Sequence, residues 1–95
     1  MYEGDKIERF TELPTNKQKE LCDWIKNNVS PIKTINGSIS SYGMKHICEN
    51  ECCDGYVMNG EFKGAMLVMG YEPHDITAQN WYFRISKKSP CFKRK

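Results

Sequence analysis

The fold prediction starts from residues 40–70, SSYGMKHICENECCDGYVMNGEFKGAMLVMG. This stretch predicts two short helices, over about 41–51 and about 59–69, with a turn at Asp54-Gly55 between them. The dipeptide Tyr56-Val57 is β-prone and too brief to extend either helix. Two helices in this order form a helix-turn-helix-like pair with a loosened turn, which is an architecture used for binding.

Helical spacing and end signals support both helices. Ser41 is a candidate N-cap for the first helix, Asn59 is a candidate N-cap for the second, and Gly70 ends it. Apolar residues recur on one face of each helix, namely Met44, Ile47 and Cys48 in the first and Phe62, Ala65, Met66 and Met69 in the second. We therefore expect both helices to contribute to one core.

A further helix precedes this pair in the chain. Thr15 followed by Gln18 is a capping-box pattern, and Pro31 prevents the helix from continuing. An apolar stripe runs along its expected inner face, formed by Leu21, Trp24, Ile25 and Val29. Aromatic residues should supply much of the core, and the candidates are Trp24, Tyr56, Phe62, Tyr71, Trp81 and Phe83.

Short runs around the helices predict β-strands. Residues 31–35, PIKTI, alternate apolar and polar side chains and end at the turn signal Asn36-Gly37. Residues 81–85, WYFRI, place Trp81, Phe83 and Ile85 on one face. A third strand would begin at residues 71–72, and the polar residues 73–80 form a loop.

The resulting order of elements is helix-strand-helix-helix-strand-strand. This order predicts an α+β domain of the winged helix-turn-helix type, in which residues 73–80 form the wing. A different α+β packing of the same elements is the alternative. We divide the chain into an N-terminal arm at 1–13, a single small domain at 14–86 and a basic tail at 87–95.

Charge is distributed unevenly along the chain. The net charge is +2, but the tail KKSPCFKRK holds five of the fourteen basic residues and no acidic residue. The remaining body carries nine basic and twelve acidic residues, a net of −3, which is unlike a domain that grips phosphate over a whole face. The tail could still contact nucleic acid or an acidic protein through Lys87, Lys88, Lys93, Arg94 and Lys95. We expect a mobile tail; the alternative is that Cys91 and Phe92 dock on the core.

Motifs for catalysis and metal binding are lacking. His46, Cys48, Cys52 and Cys53 lie close in sequence but have no CxxC pair and no second ligand pair at a defined distance, so we predict no metal site. His46 and Cys48 point apart on a helix, and no Ser-His-Asp set or phosphate-binding glycine loop exists. We therefore predict a protein that is not an enzyme, has no catalytic residues and needs no cofactor.

The charged N-terminus lacks the apolar region of a signal peptide, and no apolar run reaches the length of a membrane span. These features predict a cytoplasmic protein with no membrane partner and with reduced cysteines.

Two groups of residues are candidates for partner binding. In the third predicted helix, Asn59, Glu61 and Lys63 would face outward as a DNA-reading helix requires. Gly60 and Gly64 in the same helix would permit either close approach to a ligand or tight packing on a neighbouring element. At the start of the preceding helix, Tyr42, Lys45 and His46 could receive an anion or a carboxylate, or form a solvated helix face.

Several of these runs resemble a group of small proteins encoded by phages and prophages of Gram-positive bacteria. The shared sequence motifs are SYGMKH at 41–46, GYV at 55–57, NGEFKGAM at 59–66 and NWYFRI at 80–85. The resemblance covers about residues 40–86. The group has no established activity, so the resemblance implies only a context. Small phage accessory proteins mostly regulate transcription, assist replication or block host defence by binding a defence enzyme.

Two functional hypotheses follow. The first is a non-enzymatic accessory protein whose helix-turn-helix-like face binds nucleic acid or a nucleoprotein complex. The alternative is a counter-defence inhibitor of the anti-CRISPR type, which would bind a host defence nuclease through protein-protein contacts. The basic tail and the order of elements favour the first hypothesis, and the acidic body favours the second. A homodimer is compatible with either.

Overall fold

A computed structural model of the protein describes residues 3–52 and 56–93. Within these residues the chain forms four α-helices and two short 3-10 helices. The α-helices are α1 at Glu8–Thr11, α2 at Thr15–Asn28, α3 at Ser41–Glu51 and α4 at Asn59–Val68, and the 3-10 helices are Glu3–Asp5 and Pro90–Phe92. No described helix is long and apolar enough to cross a membrane.

Helix α4 lies at the centre of the molecule. It contacts α1, α2, α3 and the 3-10 helix at Glu3–Asp5. Most of its length is buried, including Asn59, Gly60, Phe62, Lys63, Gly64, Ala65 and Met66. A helix surrounded in this way has an apolar and small-residue surface on several sides rather than on one stripe.

The core is built around α4 by the predicted apolar residues. The stripe of α2, Leu21, Trp24, Ile25 and Val29, is buried as predicted, and so are Trp81, Phe83 and Ile85. The Trp24 and Phe62 rings meet edge to face with their centroids 6.2 Å apart. Tyr71 and Ile47 are only partly buried. The prediction that Tyr56 belongs to the core is wrong, because 68% of its surface is exposed.

The predicted α+β winged-helix fold is also wrong, since residues 3–52 and 56–93 contain no β-strand. Among the described residues, residues 81–85 form two isolated antiparallel bridges, from Ile85 to Pro31 in the first predicted strand and from Phe83 to Pro73 at the start of the predicted loop. A proline occupies one side of each bridge and has no N–H to donate. The alternating apolar pattern of residues 81–85 therefore buries one face without forming a ladder.

Register around residues 31–36 gives a second reason for the missing sheet. The Ile32 amide donates to the Arg84 carbonyl at 3.0 Å, and the Asn36 amide donates to the neighbouring Phe83 carbonyl at 2.9 Å. Between these two hydrogen bonds the chain advances four residues, from Ile32 to Asn36, while the opposing segment advances only one, from Arg84 to Phe83. The residues between Ile32 and Asn36 therefore bulge outward. The domain is mainly helical as a result.

The helix boundaries agree with the sequence more closely than the caps do. Thr15 is the first residue of α2 rather than its N-cap, and the Gln18 side-chain amide donates to the Leu13 carbonyl at 2.9 Å instead of closing a capping box. Ser41 and Asn59 are likewise the first helical residues of α3 and α4, after the N-caps Ser40 and Met58. Their side chains are used for tertiary contacts.

Both ends of the described chain pack on the body. A Cβ on Gly60 would collide with the Lys6 backbone carbonyl, and one on Gly64 would lie 2.5 Å from the Phe10 Cβ. At the other end Cys91 is buried in the core, and the Ser89 hydroxyl accepts a hydrogen bond from the Ser30 amide at 2.9 Å. The expected mobile tail is therefore replaced, up to residue 93, by the docked alternative.

Candidate functional site

A cleft of about 470 Å³ lies between the start of α3, the start of α4 and residues 79–80. We call it the tyrosine cleft. Its described lining residues are Gly4, Asp5, Tyr42, Tyr56, Asn59, Gln79 and Asn80. The two tyrosines are 48% and 68% exposed, respectively, and the polar side chains of Asp5 and Asn59 are buried beneath them.

A buried lysine supports both tyrosine rings. The Lys45 Nζ lies 3.9 Å from the centroid of the Tyr56 ring and 5.0 Å from that of Tyr42. Lys45 is fully buried, with 0% of its surface exposed. An ammonium over an aromatic face is attracted to the ring quadrupole, and the attraction grows when the cation is desolvated. Lys45 therefore fixes the rings rather than presenting its charge to solvent.

Glu49 provides the counter-charge for Lys45. One carboxylate oxygen lies 3.3 Å from the Lys45 Nζ and accepts the Val57 amide hydrogen at 3.0 Å. The other oxygen lies 3.4 Å from the His46 Nδ1. Burial acts to raise the pKa of Glu49, but the Val57 hydrogen bond and the Lys45 charge outweigh it, so the pKa is below its usual value. The carboxylate thereby links α3 to the backbone that carries Tyr56.

The floor of the cleft is organised by the side chain of Asn59. Its Nδ2 lies within hydrogen-bond distance of three acceptors, which are Asp5 Oδ1 at 2.9 Å, the Gln79 carbonyl at 3.1 Å and Asn80 Oδ1 at 2.9 Å. Its Oδ1 accepts from the Ser41 hydroxyl at 2.8 Å. One amide thus connects the first residues of both helices, the N-terminal segment and the loop that precedes Trp81.

Asp5 and Lys63 complete this floor. The Asp5 Oδ2 accepts from the Gln79 side-chain amide at 2.8 Å. Lys63 donates to the Gln79 carbonyl at 2.8 Å and has its Nζ 4.7 Å from the centroid of the Trp81 ring. Burial lowers the pKa of Lys63, and the nearby charge of Asp5 acts in the opposite direction. Lys63 is a structural cation beneath the cleft.

Helix α4, which the sequence suggested as a DNA-reading helix, does not expose its first residues as predicted. Asn59 and Lys63 were expected to face outward, but both are buried. Asn59 lies against Asp5 and Asn80, and Lys63 lies against the Gln79 carbonyl and the Trp81 ring. Glu61 is partly exposed and accepts the Met58 amide hydrogen at 2.9 Å. Burial raises the pKa of Glu61, against the effect of that hydrogen bond.

The other predicted binding residues divide into two places. Tyr42 and His46 lie on the partly exposed side of α3, with their rings edge to face at 4.6 Å, whereas Lys45 is buried under Tyr42. Lys87, Lys88 and Lys93 are exposed at the far end of the chain. Arg94 and Lys95 fall outside the described residues.

Sequence analysis did not find Asp5, Gln79 or Tyr56 as site residues. Asp5 lies in the segment interpreted as an arm, Gln79 lies in a polar loop, and Tyr56 was assigned to the core. A hydrogen bond between residues 74 positions apart, as between Asp5 and Gln79, leaves no local pattern in the sequence.

Thiols and metal-binding groups do not converge on the cleft. The Cys48 and Cys52 sulfurs are 3.4 Å apart at the end of α3, and Cys22 lies partly buried on α2. Burial raises the pKa of Cys22. Across residues 3–52 and 56–93, no three His, Cys, Asp or Glu side chains are grouped so that they could hold a metal ion. Cys53, which follows Cys52 in the sequence, is outside the described residues.

Comparison of this chain with protein-family models, with curated proteins and with solved structures gives no match. Its function is therefore inferred from the cleft and its supporting residues.

Proposed function

We propose that this protein is a non-enzymatic accessory protein that acts by binding another protein through the tyrosine cleft. The observation that carries the proposal is the pair of exposed rings, Tyr42 and Tyr56, held over the buried ammonium of Lys45. Tyrosines are enriched in protein interfaces because each contributes a large amphipathic area with few rotatable bonds. Rings that are already fixed lose little further entropy on binding.

The free-energy cost of burying Lys45 beneath the two tyrosine rings strengthens this proposal. Desolvating a lysine is unfavourable unless the charge finds compensating partners. Here the compensation comes from Glu49 and from two rings that are themselves exposed. Such an arrangement stabilises the position of surface groups more than it stabilises a core, as a binding site requires.

Nucleic-acid reading by α4 has less support. A recognition helix must present its first residues to the base edges of the groove, and the first residues of α4 are covered by the N-terminal segment. The body outside residues 87–95 has a net charge of −3, which opposes contact with phosphate over a broad face. With the resemblance to phage proteins, a counter-defence role against a host protein is the version we favour.

The test compares matched tyrosine variants in affinity capture from nuclease-treated host lysate. Tyr56→Ser should lose the captured partner, whereas Tyr82→Ser, a change at an exposed tyrosine outside the described lining of the cleft, should retain it. Equal retention by both variants would contradict the proposal.

A parallel salt titration of duplex DNA binding tests the other hypothesis. Tight binding that weakens steeply with salt is characteristic of phosphate contacts, and such binding, unaffected by Tyr56→Ser, would favour a nucleic-acid partner instead.

A further inference from the structure

We propose that the tyrosine cleft receives an arginine side chain from the partner protein. This inference rests on the proposed function and names the chemistry that the cleft would recognise. Three observations support it: an excess of hydrogen-bond acceptors, two aromatic faces beside those acceptors, and a carboxylate among the lining groups.

The acceptor excess follows from the directions of the hydrogen bonds in the floor. The Asn59 and Gln79 side-chain amides donate to Asp5, and the Lys63 ammonium donates to the Gln79 carbonyl. These donors are directed into the protein's own oxygens. A carboxylate has about four acceptor positions, and the described side chains use two at Asp5, so Asp5 can accept further hydrogen bonds from a ligand.

The two tyrosine rings would contact the planar face of the guanidinium. A guanidinium is planar and weakly hydrated, so it stacks on an aromatic face while its N–H groups donate in the ring plane. Tyr56 already has Lys45 on its ring, but its large exposed fraction leaves ring surface open to a ligand. The cleft volume of about 470 Å³ leaves room for such a side chain.

Charge distinguishes arginine from other donors. Asp5 is the carboxylate among the described lining residues, where the Asn59 and Gln79 side-chain amides donate to it and the charge of the buried Lys63 lies nearby. Lys45 would repel an incoming cation, but Glu49 at 3.3 Å offsets its charge. A lysine ammonium is compact and strongly hydrated, so it would gain less from the rings than a delocalised guanidinium.

The experiment is an NMR titration of the isotope-labelled full chain with capped pentapeptides, Gly-Gly-X-Gly-Gly, in which X is arginine, lysine or citrulline. Citrulline keeps the planar shape of arginine and removes its charge. We expect the arginine peptide to shift the amide signals of Tyr42, Tyr56 and Asn80. Its affinity should exceed that of the citrulline peptide by about tenfold, as for a hydrogen bond to a charged group, and should also exceed that of the lysine peptide.

Variants define the site and separate this inference from the proposal beneath it. Asp5→Asn and Tyr56→Ser should each weaken arginine-peptide binding at least fivefold, while Tyr82→Ser leaves it unchanged. Equal binding of the three peptides, or shifts confined to residues outside the cleft, would overturn the inference. If Tyr56→Ser still abolishes capture of the partner from lysate while the arginine peptide fails to bind, the docking surface stands and the arginine is wrong. If neither effect appears, both proposals fail.

Discussion

The first residues of α3 and α4 lie side by side, yet one helix start is open and the other is covered. Both helices begin after an extended N-cap residue, and the Ser41 hydroxyl at the start of α3 contacts Asn59 at the start of α4. Tyr42 follows Ser41 and is half exposed, whereas Gly60 follows Asn59 and lies against the Lys6 backbone. The second residue of each helix thus decides which start remains accessible.

This difference shows how glycine should be interpreted at a helix start. A glycine there is compatible with close approach of a ligand and equally with close approach of the chain's own backbone. In α4 the chain itself approaches, at Gly60 and again one turn later at Gly64. The surface that we propose for binding therefore lies on α3 and Tyr56, and α4 lies beneath it.

The largest expected effect comes from the buried side of α4. Phe62→Ala should lower the free energy of unfolding by about 3–5 kcal/mol, because Phe62 is fully buried and its removal leaves a cavity beside Trp24. Urea unfolding followed by tryptophan fluorescence measures the change. Val68→Ala, at an exposed position of the same helix, is the control and should change stability by less than about 0.5 kcal/mol. Equal effects at the two positions would contradict the orientation of α4, in which Phe62 faces the core and Val68 faces solvent.

The next largest effect on stability is expected where the N-terminal segment packs against α4. Gly60→Ala should cost about 1–3 kcal/mol, since the added Cβ forces the Lys6 backbone away. Gly37→Ala is the matched control, because no atom lies within 4 Å of the Cβ it would add. A stabilisation by Gly60→Ala, as helix propensity alone would give, would show that the N-terminal segment does not cover α4.

A smaller effect should appear in the pH dependence of stability. Because burial lowers the pKa of Lys63 in the folded protein, the unfolded chain binds more protons at pH values between that lowered pKa and the usual 10.5. Stability should therefore rise with pH through this window. In Lys63→Met the rise should be reduced. Urea unfolding of both proteins from neutral to alkaline pH measures it, and identical slopes would contradict the assignment.

The smallest effect on stability is expected at the open side. Tyr56→Ser should lower the free energy of unfolding by no more than about 2 kcal/mol, because the ring is largely exposed and loses mainly its cation–π contact with the desolvated Lys45. The same variant should nevertheless lose partner binding. A strong destabilisation measured by urea unfolding would mean that Tyr56 is structural after all.

The sequence predicted the helices of this molecule better than its site. Trp24 and Phe62 belong to apolar patterns of helical period, and α2, α3 and α4 extend close to the predicted boundaries. The strands failed although residues 81–85 alternate correctly, because Pro31 and Pro73 remove donors from both neighbouring segments. Sequence periodicity reports which face is buried, and it does not report whether backbone partners will be in register.

The tyrosine cleft was predicted only in part, and the reason is physical. Tyr42 and His46 were recognised as candidates because they begin a helix. The roles of Asp5 and Gln79 depend on contacts over long chain separations, such as the Asp5 to Asn59 hydrogen bond. The burial of Lys45 and Lys63 runs against the usual exposure of lysine, and it is compensated by oxygen acceptors together with aromatic rings.

The side chain of Asn59 has a consequence for local opening. The loop before Trp81 contains little regular structure, and by composition it would be expected to exchange its amide hydrogens quickly. Instead, the Trp81 amide donates at 3.0 Å to the Ser41 hydroxyl, which in turn donates to Asn59. Releasing this loop would break contacts of α3, α4 and the N-terminal segment together, so it should not open alone. The Trp81 amide should exchange in native-state hydrogen exchange as slowly as the amides of α4, whereas that of Thr77 in the same loop, which donates to the exposed Asp75 carboxylate two residues earlier, should exchange quickly.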